Sequence, residues 1–475
     1  MGHSATVARN AVWLITQGLL TGLASIVVVG VVARYLGTER YGILLLILSY
    51  HFLFTPLTVL GTRPYSVREI ARDRGRTLEV VEEMLALRFV LASVATAIAA
   101  VYVLLAQPQI SGGLLTALSL LLLFSAVATC FIDGLYGIES FKSVAKVMAA
   151  SGLIVQAGCV AAVVLDAGLL GVASAYVVGA GISLGAAGFS FSRQVGPLRR
   201  LRPRLAHFRH VHDSWTYFLQ NIVLTVRHRI DLVLVNNFLG AHAAGIYGSS
   251  HALVQRIDLL QDAATTALFP RVTHLHARSP EELKVLVRGT FKILLVLSTP
   301  MAAGLCGVSH DVVELIFGSQ FLESAPVLAV LALGVPFSFT YGLMFNVLTA
   351  MGQQRTVFHC SVGSSIASVV FLVGSLAMAG IAGAAVAYVF SLASLAIPLV
   401  VVYSRRMGPM ISLRDVLGLA AANTTMGGVL WLIRDLPLAA KILISAVVFA
   451  LAIRLLGVVT LEMVRSALRR PNAAE

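Results

Sequence analysis

Long apolar runs set the rhythm of this chain. From Val12 onward, stretches of roughly 20 apolar residues, each able to cross the hydrocarbon layer of a bilayer, alternate with short polar connections. About fourteen are present, at 12–33, 42–62, 85–106, 114–136, 146–165, 170–192, 214–237, 243–268, 288–306, 325–347, 356–378, 382–403, 415–433 and 438–459. None shows the period-2 alternation of a strand. Lipid tolerates only structures that satisfy their own backbone hydrogen bonds, so the pattern predicts an all-α polytopic membrane protein.

The pattern is also duplicated. Ala167 to Val177 (AGLLGVASAYV) returns as AGIAGAAVAYV at Ala379 to Val389, and Leu36-Gly37-x4-Gly42 returns as Leu239-Gly240-x4-Gly245. At the second offset Gln17 falls on Gln220 and Arg68 on Arg271. An even number of spans in each half makes the repeat parallel, a plan common in transporters. The expected organisation is an N-terminal six-helix bundle over 9–192 and a basic cytosolic linker over 193–213 with Pro197 and Pro203. A C-terminal six-helix bundle over 214–403 follows, and 404–475 supply two extra transmembrane helices and a cytosolic tail.

Composition agrees with lipid as the solvent: 58% of residues are hydrophobic and 12% charged, against about half and a quarter in soluble domains. The net charge of +13 reads mainly as topology. Lys and Arg collect on alternate connections: Arg68 to Arg76, Lys142 and Lys146, Arg193 to Arg209, Arg271 to Lys284, Arg355, Arg405 to Arg414, and the tail with Arg465, Arg469 and Arg470. By the positive-inside rule these are cytosolic, as are both termini. Span 1 reads as a signal anchor. The basic face suits anionic lipid headgroups rather than nucleic acid. Cys130, Cys159, Cys306 and Cys360 are isolated and read as core residues. Thr77 to Leu87 is either an amphipathic interfacial helix or the start of span 3, and Pro56 and Pro336 are either hinges or static kinks.

The charged anomaly is Arg227-His228-Arg229-Ile230-Asp231 in span 7, joined by His251, Arg256, Asp258 and Asp262 in span 8. A central Arg or Asp costs roughly 2.5–3.5 kcal/mol on insertion scales, so such groups face a bundle interior or a cavity. Arg227 and Asp231 share a helix face, while Arg229 is turned about 200° from Arg227. Two readings stand: an internal salt-bridge lattice, with Arg227 against Asp231 and Arg256 against Asp258 or Asp262, or at least one arginine free to hold an anionic substrate. Arg63, Gln17 and Gln220 join Arg227, Arg229 and Arg256 as candidate substrate contacts, and Asn221 and Asn346 as further cavity polar groups. Asp231, Asp258 and His51 are candidate couplers to a proton or sodium gradient, with nothing in their spacing to select the ion. No Gly-Lys-Ser/Thr phosphate loop, metal-ligand spacing or acid-base constellation is present, so the chain reads as a transporter without a cofactor rather than an enzyme.

Ala33-Arg34-Tyr35-Leu36-Gly37-Thr38-Glu39-Arg40-Tyr41-Gly42, after the polar Arg9-Asn10 start of span 1, resembles the polysaccharide-biosynthesis exporter family. That family includes O-antigen and lipid-linked oligosaccharide flippases, within the multidrug/oligosaccharidyl-lipid/polysaccharide exporter superfamily. The resemblance extends over nearly the whole chain. It implies two bundles that alternate access to a central cavity, and a polyprenyl-diphosphate-linked oligosaccharide as cargo for cell-surface polysaccharide assembly. It also implies work alongside glycosyltransferases and a polysaccharide polymerase. Related flippases place cations in the first bundle's cavity, where spans 1 and 2 here offer only Arg34 and Arg63. The alternatives are a cation-coupled multidrug exporter of the same architecture, which would need unpaired carboxylates, and a membrane glycan ligase or polymerase.

Overall fold

The computed structural model describes the backbone of residues 2–202, 209–266 and 269–458. Side chains are described from Ala24 onward, except at 200, 203–214, 216, 217, 220, 259, 262–264, 266–270 and 277. The side chains of Gln17, Gln220 and Asp262, and the basic tail, therefore lie outside the described residues. Among those described there are fifteen α-helices and no strand: α1 (Gly2–Val59), α2 (Thr62–Arg72), α3 (Thr77–Ala106), α4 (Gly112–Gly137), α5 (Phe141–Val164), α6 (Gly168–Gln194), α7 (Arg209–Thr266), α8 (Phe269–Arg278), α9 (Pro280–Gly307), α10 (Ser309–Phe317), α11 (Ser324–Ala332), α12 (Val335–Ala350), α13 (Gln354–Met407), α14 (Leu413–Leu432) and α15 (Leu438–Leu455). Eight described helices are long and apolar enough to cross a membrane, nine when the bent pair α11–α12 is taken as one. The molecule is a multi-pass, all-α membrane protein.

To within a few residues every predicted apolar stretch is helical, with the stretch at 325–347 divided between α11 and α12, but the connections differ. Spans 1 and 2, 7 and 8, and 11 and 12 are each joined without a loop, as two limbs of α1, α7 and α13 meeting at a single non-helical glycine. Gly37 (φ 73°, ψ 173°) and Gly240 (φ 87°, ψ 176°) share one conformation, open essentially to glycine alone. The second duplicated motif behaves alike, with Gly168 at φ 63° and Gly380 at φ 57°. The sequence repeat is thus a repeat of backbone corners. Thr77 to Leu87 is the first part of continuous α3, so it is the start of that span. The connection between α9 and α11 holds the short helix α10, and Pro336 sits in the first turn of α12, just after a 40° bend from α11.

The chain divides into two compact units, Met1–Gly248 and Ser249–Glu475, so residues 214–248, assigned by the repeat to the second half, belong to the first unit. Within this unit the two glycine corners cross. A Cβ on Gly42 would overlap the carbonyl oxygen of Ala241, and one on Gly245 would overlap that of Thr38, so backbone meets backbone reciprocally. Thr38 Oγ1 and His242 Nδ1, 2.8 Å apart, tie the same crossing. Tyr35 links the two duplicated motifs of the first half: its hydroxyl donates to Asp166 Oδ1 (2.6 Å) and accepts from the Gly168 N–H (2.8 Å). The core beneath is apolar, with Ile70, Val80, Val81, Met84, Phe131 and Phe191 buried together.

In the second unit α14 and α15, which lack a counterpart in the repeat, are fixed by ion pairs. Lys292 of α9 reaches Asp415 of α14 (2.7 Å), and buried Lys441 of α15 reaches Asp311 of α10 (2.7 Å). Two outcomes are expected. Gly42→Ala and Gly245→Ala should each destabilise the protein by about 1–3 kcal/mol through forced separation of backbones, read as a lower Tm in detergent, while Gly185→Ala, which meets open space, should not. Lys441→Met should cost about 1–3 kcal/mol, with most of the loss recovered in Lys441→Met/Asp311→Asn, as a double-mutant cycle of thermal unfolding would measure.

Candidate polar site

The first limb of α7 carries charge into the first unit because Arg227, Arg229 and Asp231 lie between its apolar stretches Ile222–Val226 and Leu232–Val235. Arg227 and Asp231 are both buried, at 8% exposure each. The Asp231 carboxylate accepts from the Tyr247 hydroxyl (2.7 Å) and from the Leu232 N–H (2.8 Å). Arg229, turned to another side of the helix, lies over the ring of Phe52 with its guanidinium carbon 4.2 Å from the centroid, a cation–π contact suited to a poorly solvated site. The neighbouring His51 is half-buried; its Nδ1 is enclosed with no hydrogen-bond partner among the described residues, and its ring stands edge-on to Phe52.

Arg63 stands in a separate constellation. Its Nε lies 3.1 Å from Asp133 Oδ1 and its guanidinium carbon 4.9 Å from the Tyr136 ring centroid. The other oxygen of Asp133 accepts from Arg88 Nη2 at 2.7 Å. Arg88 is fully buried, donating also to Thr129 (3.1 Å) and to Thr62 (3.2 and 3.3 Å). Neither Arg88 nor Asp133 figures among the candidates from sequence. Each is a lone charge inside an apolar span, of opposite sign in α3 and α4, and that pairing of isolated opposite charges was the available signal.

A third polar group in the first unit is uncharged. Gln107, at the end of α3, donates to Asn237 Oδ1 (2.6 Å) and accepts from Asn236 Nδ2 (3.0 Å), while Gln109 donates to Gln107 and Tyr102 accepts from Asn237 (3.4 Å). None of these amides figures among the candidates from sequence.

In the second unit, Asp258 accepts from the Ser338 hydroxyl, and Arg256, half-buried, makes no ion pair among the described residues. The proposed Arg256–Asp258 pair is therefore not formed. His251 packs edge-on against Tyr388, a residue of the duplicated motif, at 5.0 Å. Asn346 bonds the Gly342 carbonyl of its own helix (2.9 Å), a local use of its amide.

The family profile described as polysaccharide biosynthesis protein matches residues 7–276, and that described as lipid II flippase MurJ matches residues 230–456. The teichuronic acid biosynthesis protein TuaB of Bacillus subtilis is 30% identical over 138 residues, which is 28% of this chain and 28% of TuaB. The match to this curated relative thus spans less than a third of its length. Among solved structures, the lipid II flippase MurJ in an inward closed conformation superposes with a TM-score of 0.76 at 14% identity, over 96% of this chain and 99% of that one. An inward-facing multidrug resistance MATE family transporter of the MOP superfamily gives 0.62 at 14% identity, over 84% and 98%. At these identities the two structures speak for the fold. With a family profile matched across more than half its length and the helical architecture to go with it, this chain belongs to the polysaccharide biosynthesis protein family.

Proposed function

We propose that the protein is a flippase that carries a polyprenyl-diphosphate-linked oligosaccharide across the cytoplasmic membrane by alternating access, for assembly of a cell-surface polysaccharide. The observation that carries this reading is arginine held within the membrane-spanning length of α7, with Arg227 buried and Arg229 and Arg256 half-buried; exposed Arg63 of α2 stands beside α4 as a further cation. A diphosphate is the natural partner of guanidinium groups in a medium of low dielectric constant, where charge-assisted hydrogen bonds are strong and water competes weakly. The names of the relatives support the same direction, since TuaB is a teichuronic acid biosynthesis protein and the superposable MurJ a lipid II flippase. Enzymes that build and polymerise the glycan are the expected partners. Asp231, Asp258 and His51 are the groups on which a proton or sodium gradient would act, and Gln17 and Gln220 would line the sugar's path.

The multidrug exporter reading has a specific point in its favour, the likeness to a MATE transporter. A carrier of lipophilic cations needs carboxylates to meet them. Here Asp133 is shared by two arginines, Asp231 accepts from Tyr247, and Asp258 accepts from Ser338. Cargo of negative charge fits these surroundings better.

Reconstitution in vesicles tests the choice: a labelled polyprenyl-diphosphate oligosaccharide should appear on the opposite leaflet, with no efflux of a cationic dye. Arg227→Gln, Arg229→Gln and Arg256→Gln should each slow translocation roughly tenfold, about one charge-assisted hydrogen bond, while still inserting in the membrane. Dye efflux without glycan movement would overturn the function, and full activity in all three variants would overturn the site.

A further inference from the structure

The hairpin of α14 and α15 sets two cations at one level of the membrane. With 20 and 18 residues the helices are about 30 and 27 Å long, so each just crosses a hydrocarbon layer of about 30 Å and its terminal turns fall at the interfaces. Arg414 is in the first turn of α14 and Arg454 in the last turn of α15. Beyond α15 the chain folds back on α14: buried Val458 packs so closely on Gly418 that a Cβ there would overlap it, and Arg414 Nη2 comes within 3.6 Å of the place a Cβ on Gly457 would take. Gly457, at φ 67°, in turn donates its N–H to the Arg454 carbonyl (3.1 Å). Both arginines therefore belong to one foot of the hairpin.

Among the described residues, nothing neutralises them. Asp415, the carboxylate next to Arg414, is taken by Lys292 (2.7 Å) and by the Ser412 hydroxyl (2.9 Å), and neither exposed arginine forms an ion pair among those residues. A cation in the first turn also opposes the helix dipole, so Arg414 does not serve the stability of α14 itself. Leucine borders both charges. Leu417 follows Arg414 by three residues and Leu451 precedes Arg454 by three, a spacing that makes each pair neighbours on its helix and puts the leucine deeper in the membrane. These two leucines, and Leu413 and Leu455 beside the arginines, are all more than half exposed. Each helix thus offers positive charge at headgroup depth with apolar surface beneath it.

We propose that this foot binds an acidic phospholipid, with Arg414 and Arg454 holding the phosphodiester and the leucines lining the acyl chains. A free phosphate matches the charge but leaves the apolar border unused, and a zwitterionic lipid brings its own ammonium into competition with the guanidiniums. Each arginine is worth about fivefold in affinity at a membrane surface. The site lies on helices that have no counterpart in the repeat and stands whether or not the protein is a flippase. Bound lipid braces α15, whose main attachments to the rest of its unit are α14, α9 and the Lys441–Asp311 pair.

Native mass spectrometry of the purified full-length protein in detergent tests the site, with phosphatidylglycerol titrated alone and against phosphatidylcholine, inorganic phosphate and a short-chain polyprenyl diphosphate. Phosphatidylglycerol should bind roughly tenfold tighter than phosphatidylcholine and raise the Tm. Arg414→Gln/Arg454→Gln should lower its affinity roughly thirtyfold and remove that rise, while the Tm without lipid stays at the wild-type value because both side chains are exposed. Arg68→Gln/Arg72→Gln takes the same charge from α2 in the first unit and should change the affinity less than about twofold. Leu417→Ser/Leu451→Ser keeps the charges and should weaken binding severalfold. Wild-type affinity in Arg414→Gln/Arg454→Gln overturns the proposal, and an equal loss in the α2 variant does so by showing only a diffuse basic field. Displacement of phosphatidylglycerol by an equal concentration of inorganic phosphate also overturns it, as does tighter binding of the polyprenyl diphosphate through the same two arginines.

Discussion

A bilayer offers a peptide group no hydrogen-bond partner, and that scarcity governs this structure. Helix is the available answer, and beside its ordinary connections the chain turns at single residues that leave helical geometry before the next resumes it. Gly37, Gly240 and Gly380 supply such points, each with a positive φ inside what is otherwise continuous helix. Glycine serves a second purpose at the same corners. Without a Cβ at Gly42 or Gly245, the two duplicated corners approach until backbone touches backbone.

The same solvent makes each internal charge expensive, and the protein treats its charges in two ways. Some are closed off in pairs: Arg88 with Asp133, Lys441 with Asp311 and Lys292 with Asp415. Such pairs contribute modestly to stability but penalise arrangements in which either partner is left alone. Arg63, by contrast, is 53% exposed, and Arg229 rests on an aromatic face. In the first unit Asp133 serves both the closed pair with Arg88 and the exposed Arg63. The amide ladder of Gln107, Asn236 and Asn237 uses neutral groups to join helix ends where no net charge is needed.

Much of this could be read along the chain. The apolar runs specify helices because their length and lack of strand alternation leave lipid no other solution, and the duplicated Gly motifs mark corners because few other residues tolerate those angles. Local periodicity also set Arg227 and Arg229 on different sides of α7. Partner choice was decided elsewhere. Asp133 lies 45 residues from Arg88 and 70 from Arg63, so nothing local couples them, and only the packing of α2, α3 and α4 lets one carboxylate serve two guanidiniums. Tertiary packing likewise gave Asp258 to Ser338 rather than to nearby Arg256, and carried the first limb of α7 into the first unit. Spacing along one chain orders what lies on a helix face; which faces meet depends on the summed burial of many side chains, a quantity with no local signature.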